Sequence, residues 1–210
     1  MEEKPFIDRL EEMGELENAL KRHGPELVIV YGRRRVGKSR LLMEAKLLGR
    51  KIVFVMMEEA GYATNLKKFS LAVSSTFGFP SFSPVSFRDA FAGIPDGTVI
   101  FIDEFSYIAD SSGEFQAIWE EVAKPRKLKL VLCGSMMRVM EDLGYSIKSP
   151  LYGRATLILK VMPFLLAEVF RWYGKKEKPE SIFQTYFCVG GIPRYLEIMP
   201  VPGLGGVEGA

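Results

Sequence analysis

Eight consecutive residues, Gly32-Arg33-Arg34-Arg35-Val36-Gly37-Lys38-Ser39, hold the densest chemistry in this 210-residue chain. A glycine, four residues and then Gly-Lys-Ser let the backbone curl until several N–H groups point at one anion. The helix that follows turns its positive end to the same place. In such a loop the Lys38 ammonium bridges the outer two phosphates of a polyphosphate, and the Ser39 hydroxyl ligates magnesium. The run Arg33-Arg34-Arg35 raises the field around the anion, with at least one member turned toward solvent or a carboxylate. A second candidate is Val99-Ile100-Phe101-Ile102-Asp103-Glu104. An apolar strand that ends in acids delivers Asp103 to the sheet's C-terminal edge, where it would hold the same metal ion. Glu104 is then suited to orient and deprotonate an attacking water. Ser135, at the end of another apolar run, could sense the terminal phosphate, position the water or cap a helix. Arg154 is read either as a solvated surface residue or as a guanidinium near the developing phosphate charge.

These residues need a frame that brings them to one place. Short apolar runs at 27–31, 52–57, 99–102, 128–133 and 155–161 read as strands covered on both faces. Between them lie amphipathic patterns. Asp8 and Glu11 form a capping box before Leu10, Met13, Leu16 and Leu20, and that helix stops before Gly24-Pro25. Leu41, Leu42, Ala45 and Leu48 face inward from a second helix closed by Gly49, and 66–77 reads as a third. Ser111 and Glu114 cap a helix with Phe115, Ile118, Trp119 and Val122 inward, ended at Pro125. The alternation implies an α/β fold with a doubly wound parallel sheet. After Pro163 the pattern changes to three helices, at 164–173, 181–189 and 193–199, with no further strand. The expected organisation is a core at 1–162, a small helical subdomain at 163–200 and a loose glycine-rich tail at 201–210.

Composition narrows the function classes. A hydrophobic fraction of 48% and a charged fraction of 26% belong to ordinary globular proteins and exclude a fibrous or disordered chain. A net charge of +2 is too mild for a dedicated nucleic-acid binder. Cys133 and Cys188 have no metal-ligand spacing, which points to a reducing interior, and the lone His23 reads as surface decoration. The N-terminus has no basic head followed by an apolar core, and the apolar stretch 157–170 is broken by Lys160, Pro163 and Glu168. No leader, no membrane span and a cytoplasmic location are therefore expected.

With these motifs in view, the chain resembles the archaeal ATPase family, a branch related to the STAND group within the AAA+ superfamily of P-loop NTPases. The likeness spans about residues 5–200. It rests on Tyr31 to Leu41, Ile102-Asp103-Glu104-Phe105, Gly134-Ser135, Leu151-Tyr152-Gly153-Arg154, Pro163-Phe164 with Glu168, and Gly190-Gly191-Ile192-Pro193 before Tyr195-Leu196. Phe6-Ile7-Asp8-Arg9-Leu10-Glu11 resembles the family's front motif, Phe-x-x-Arg-Glu-x-Glu, with leucine where an acid is usual after Arg9.

The resemblance implies a three-layered ATP-binding core of the ASCE type with a helical lid closing over the base. It places Arg9 near the adenine, Pro193 against the nucleotide, Arg40 within the loop's helix, and hydrolysis at Asp103 and Glu104 with magnesium. Family members normally continue into a winged-helix region and often a nuclease-like domain. No Asn-Lys-x-Asp guanine-reading motif is present, which favours ATP over GTP. The leading expectation is an ATP hydrolase that couples turnover to lid closure. The alternatives are a nucleotide-dependent interaction switch with negligible turnover and a DNA-associated remodeller, with a P-loop kinase as a minor one. Self-association or an unidentified protein partner is expected, nucleic acid is not supported by charge, and no membrane is.

Overall fold

The computed structural model describes residues 9–45, 50–174 and 177–199. Asp8 of the expected capping box, Leu48 and Gly49 of the second helix, and the tail 201–210 lie outside the described residues. Five strands, β1 Glu26–Tyr31, β2 Ile52–Met56, β3 Val99–Asp103, β4 Lys129–Gly134 and β5 Leu157–Lys160, form one sheet. Its order is β2-β3-β4-β1-β5 and every pairing is parallel. Strands β1, β3 and β4 are buried along their whole length, which is why they read as continuous apolar runs. The edge strands β2 and β5 are only partly covered. Because all five run the same way, Tyr31, Asp103 and Gly134 end at one rim, with β4 between β1 and β3.

Helices cover both faces. On one, α1 Leu10–Lys21 and α2 Lys38–Glu44 press Leu16, Leu20 and Leu41 against Val28, Val30 and Val131. On the other lie α3 Tyr62–Phe77, α4 Phe87–Ala92, α5 Ser112–Ile118 and α6 Met137–Tyr145. Phe69, Phe87, Phe91, Phe105 and Phe115 form a connected ring cluster there, including a stacked pair 4.8 Å apart between Phe69 and Phe91. Each such pair adds about 0.5–1.5 kcal/mol beyond area burial, so this side is firmly set. After β5, α7 Leu166–Tyr173, α8 Pro179–Val189 and α9 Pro193–Ile198 gather around their own small core of Phe164, Val169, Trp172, Ile182 and Leu196.

The local differences from the sequence reading have physical causes. Leu10 is 79% exposed, so the inward face of α1 begins at Met13 rather than at its first turn. The helix expected after Ser111 is a composite: a 3-10 segment Phe105–Ser111, then α5, then a π-helical turn Trp119–Ala123. Glu114 caps nothing on its own helix; it accepts from the Tyr62 hydroxyl and the Arg88 amide instead. Residues 163–165 are outside the helix, and the Phe164 amide donates to the Gly191 carbonyl at 2.7 Å. A Cβ on Gly191 would lie 1.7 Å from the Phe164 carbonyl oxygen, so glycine is required for that approach.

Candidate functional site

The chain leaves β1 at Tyr31 and turns through the glycine loop into α2. Gly32 packs directly on the residue that follows β5: a Cβ there would sit 2.2 Å from the Val161 carbonyl oxygen. Gly37, at φ 96, starts α2, and the amides of that helix's first turn have no carbonyl within the helix to meet. Val36 is buried in the core and takes part through its backbone. Lys38 is only 5% exposed, and its Nζ donates to the carbonyls of Gly32 at 2.9 Å and Arg33 at 3.1 Å. Two of its three N–H groups are thus engaged, leaving one for an anion.

Across the rim, Asp103 ends β3 at 1% exposure. Its Oδ2 accepts the Ser39 hydroxyl at 2.5 Å and its Oδ1 accepts the Glu104 amide at 2.9 Å. The expected juxtaposition of Lys38, Ser39 and Asp103 is therefore present, with a hydroxyl and a carboxylate oxygen close enough to share one cation. Glu104 has a left-handed backbone, φ 52, that a non-glycine residue adopts only when its surroundings impose it. Its Oε2 accepts both the Ser135 hydroxyl at 2.8 Å and the Ser135 amide at 3.3 Å. Cys133, one strand over, is fully buried. Burial, with the Asp103 charge adding, pushes its thiol well above the usual range and keeps it protonated.

A cavity of about 420 Å³ opens between this rim and helices α7–α9. The end at the glycine loop is lined by Arg35, Gly37, Lys38, Ser39, Arg40 and Glu104. The other end is lined by Met43, Phe164, Trp172, Pro193, Arg194 and Glu197. The first set is mainly polar and charged, and the second adds Met43, Phe164, Trp172 and Pro193 as apolar walls beside Arg194 and Glu197.

Several expected residues do something else. Arg9 borders the cavity, but its guanidinium donates to the carbonyls of Val36 at 2.6 Å and Met162 at 2.9 Å and pairs with Glu12 at 2.9 Å. It also lies over the Phe164 ring, 4.8 Å from the centroid, and so fastens loop, sheet and C-terminal helices together. Arg33 and Arg34 are exposed, and Arg34 bonds the Tyr107 hydroxyl at 2.8 Å. Arg40 pairs with Glu44. Arg154 is a correction. It precedes β5, next to Thr156, whose amide bonds the Leu27 carbonyl, so it sits at the sheet's N-terminal rim, opposite the loop. There it holds Glu120 at 2.9 Å, and it does not reach the phosphate loop of its own chain. Phe164, Trp172, Met43, Arg194 and Glu197 were not singled out as site residues. Their pattern reads as ordinary helix faces, and only the packing of α7–α9 over the rim makes them a lining.

The chain matches the profile of an ATPase domain predominantly from Archaea over residues 6–199. It belongs to that family. Among curated proteins this ATPase domain is similar to the uncharacterized protein MJECL04 of Methanocaldococcus jannaschii. The two are 28% identical over 201 residues, 94% of this chain and 44% of that protein. The chain thus spans less than half the length of that relative. Among solved structures the ATPase domain is similar to the Walker-type ATPase PABY2304 of Pyrococcus abyssi, at 24% identity and a TM-score of 0.67 over 91% of this chain and 65% of that one. It is also similar to the ORC2 protein of Aeropyrum pernix in ADPNP–ADP complexes, at 14% identity and 0.66 over 93% and 62%. The STAND protein PH0952 of Pyrococcus horikoshii, with a tetratricopeptide repeat sensor, matches at 16% and 0.53 over 92% and 29%. These likenesses establish the P-loop NTPase fold.

Proposed function

We propose that this ATPase domain binds ATP with magnesium and hydrolyses it, with helices α7–α9 acting as a lid whose closure accompanies turnover. The observation that carries the reading is the meeting of Ser39 and Asp103 beside Lys38, one residue from Glu104, at the mouth of a cavity. The amides at the start of α2 and the Lys38 ammonium hold the phosphates, and the apolar slot of Phe164, Trp172 and Pro193 receives the base. Among the described residues no cluster of three or more His, Cys, Asp or Glu could cage a metal alone. Ser39 and Asp103 supply two oxygens and the phosphates the rest, the donor set magnesium prefers. When bound, the ion neutralises charge on the terminal phosphates. Glu104 accepts the proton of the attacking water, and Ser135 fixes where its carboxylate points. A cytoplasmic setting agrees with two free cysteines, one of them exposed, and no described helix is long and apolar enough to cross a membrane.

One observation favours a second reading, a switch that binds ATP and barely hydrolyses it. Both the amide and the hydroxyl of Ser135 hold the same Glu104 oxygen, and a base so held is withdrawn from water. Phosphate release decides between the two. The hydrolase reading expects steady release from the wild type and at least about tenfold slower release from Glu104→Gln, some 1.4 kcal/mol on the barrier, with ATP binding retained. Equal release from both proteins removes Glu104 as the base, and negligible release from both leaves the switch.

A further inference from the structure

The phosphate loop and the C-terminal helices meet at Arg35. Its backbone is left-handed, φ 70, and its carbonyl accepts the Arg194 amide at 3.4 Å. Its guanidinium lies over the Tyr195 ring, 5.4 Å from the centroid. Both partners stand in the first turn of α9. The same side chain is exposed and lines the phosphate end of the cavity with Lys38 and Ser39. One guanidinium thus has two competing neighbours: an aromatic ring on α9 and any anion seated in the loop. An exposed cation–π contact is weaker than a charge-assisted hydrogen bond to a phosphate, so the anion wins the competition.

Arg9 offers the contrast. It is 5% exposed, and its bonds to the Val36 and Met162 carbonyls and to Glu12 hold it in place over Phe164. The C-terminal helices therefore meet the loop through a held contact, Arg9–Phe164, through the backbone bond of Arg35 to Arg194, and through a looser contact, Arg35–Tyr195. A displacement of α9 is passed on, because the Tyr173 hydroxyl donates to the Leu196 carbonyl at 3.2 Å and Leu196 shares a core with Trp172.

We propose that Arg35 is an exchangeable clasp: it holds the lid through Tyr195 in the absence of phosphates and transfers its guanidinium to the phosphate chain when that binds. The lid then answers the phosphates even without a base. This rests on the reading of the cavity as a nucleotide site, and the ligand follows from it. A ligand shifts the lid only by binding its two positions unequally, and Arg35 supplies that inequality.

Inorganic tripolyphosphate, which has no base to touch α7–α9, is the probe. The full chain is saturated with it, binding is followed by calorimetry, and Trp172 emission reports the lid, with Trp172→Phe identifying the signal. The expected result is binding with a Trp172 shift in the wild type and in Tyr195→Phe, which keeps the ring. The shift is lost in Arg35→Ala and Tyr195→Leu, although both still bind. An undiminished shift in saturated Arg35→Ala overturns the clasp, as does wild-type binding with no shift, and both leave the nucleotide reading standing. No tripolyphosphate or ATP binding to the wild type overturns that reading and the clasp with it.

Discussion

The two rims of the sheet carry the same kinds of charged residue and use them in opposite ways. At the N-terminal rim the buried Lys129 donates to the carbonyls of Arg22, at 2.6 Å, and Gly24, tying the end of α1 to the start of β4. Arg154 answers Glu120, and Arg126 answers Asp96 at 2.8 Å. Burial pushes the Lys129 ammonium below its usual range, and the Glu26 charge works against that shift. These three cations are matched by their own chain, and the result is a brace. At the C-terminal rim, Lys38, Ser39 and Glu104 line a cavity beside Asp103, so groups that bond one another or the loop also border a space. A parallel sheet produces this asymmetry, since strand ends, loops and helix starts all gather on one side.

Substitutions should separate the rims. Lys38→Ala removes a charge-assisted contact of about 1.5–3 kcal/mol, so ATP affinity by calorimetry should fall roughly 10- to 100-fold. Unchanged affinity would break the distinction outright. Lys129→Ala is the converse: two partly buried carbonyls lose their donor, and chemical denaturation should show a loss of about 1–3 kcal/mol with ATP affinity intact. A matching loss of affinity would mean the brace also shapes the site. Arg154→Ala, the smallest change, should leave phosphate release by the isolated chain as it was, because an exposed pair adds little and the phosphate loop lies at the other rim. Slower release that appears only at concentrations where copies associate would assign Arg154 to a neighbouring chain's site.

The five strands were legible because a buried parallel strand must be almost wholly apolar, and each was recovered to within two residues at either end. The loop was legible because few residue types satisfy its geometry. Two helices were not. α4 is only six residues long, too short for periodicity to register, although Ser86 accepts the Asp89 amide as a cap should. α6 contains Gly144, a poor helix former, which packs close to the end of the Ile158 side chain. The cavity's apolar half was hidden for another reason. Phe164 and Trp172 are far from the loop in sequence, and nothing local to them says which surface they will face; Pro193 was expected there through the family resemblance alone. Arg154 was misplaced although its position just before the run 155–161 of a parallel sheet already assigns it to the N-terminal rim; that position, not its charge, decides which rim it occupies.

The central claim is that Lys38, Ser39 and Asp103 form one seat for a metal-bound triphosphate. Titrating ATP into the wild-type protein with magnesium and again with excess chelator tests it most directly. The account predicts saturable binding that weakens markedly without magnesium. Binding of equal strength in both conditions, or none in either, would contradict it.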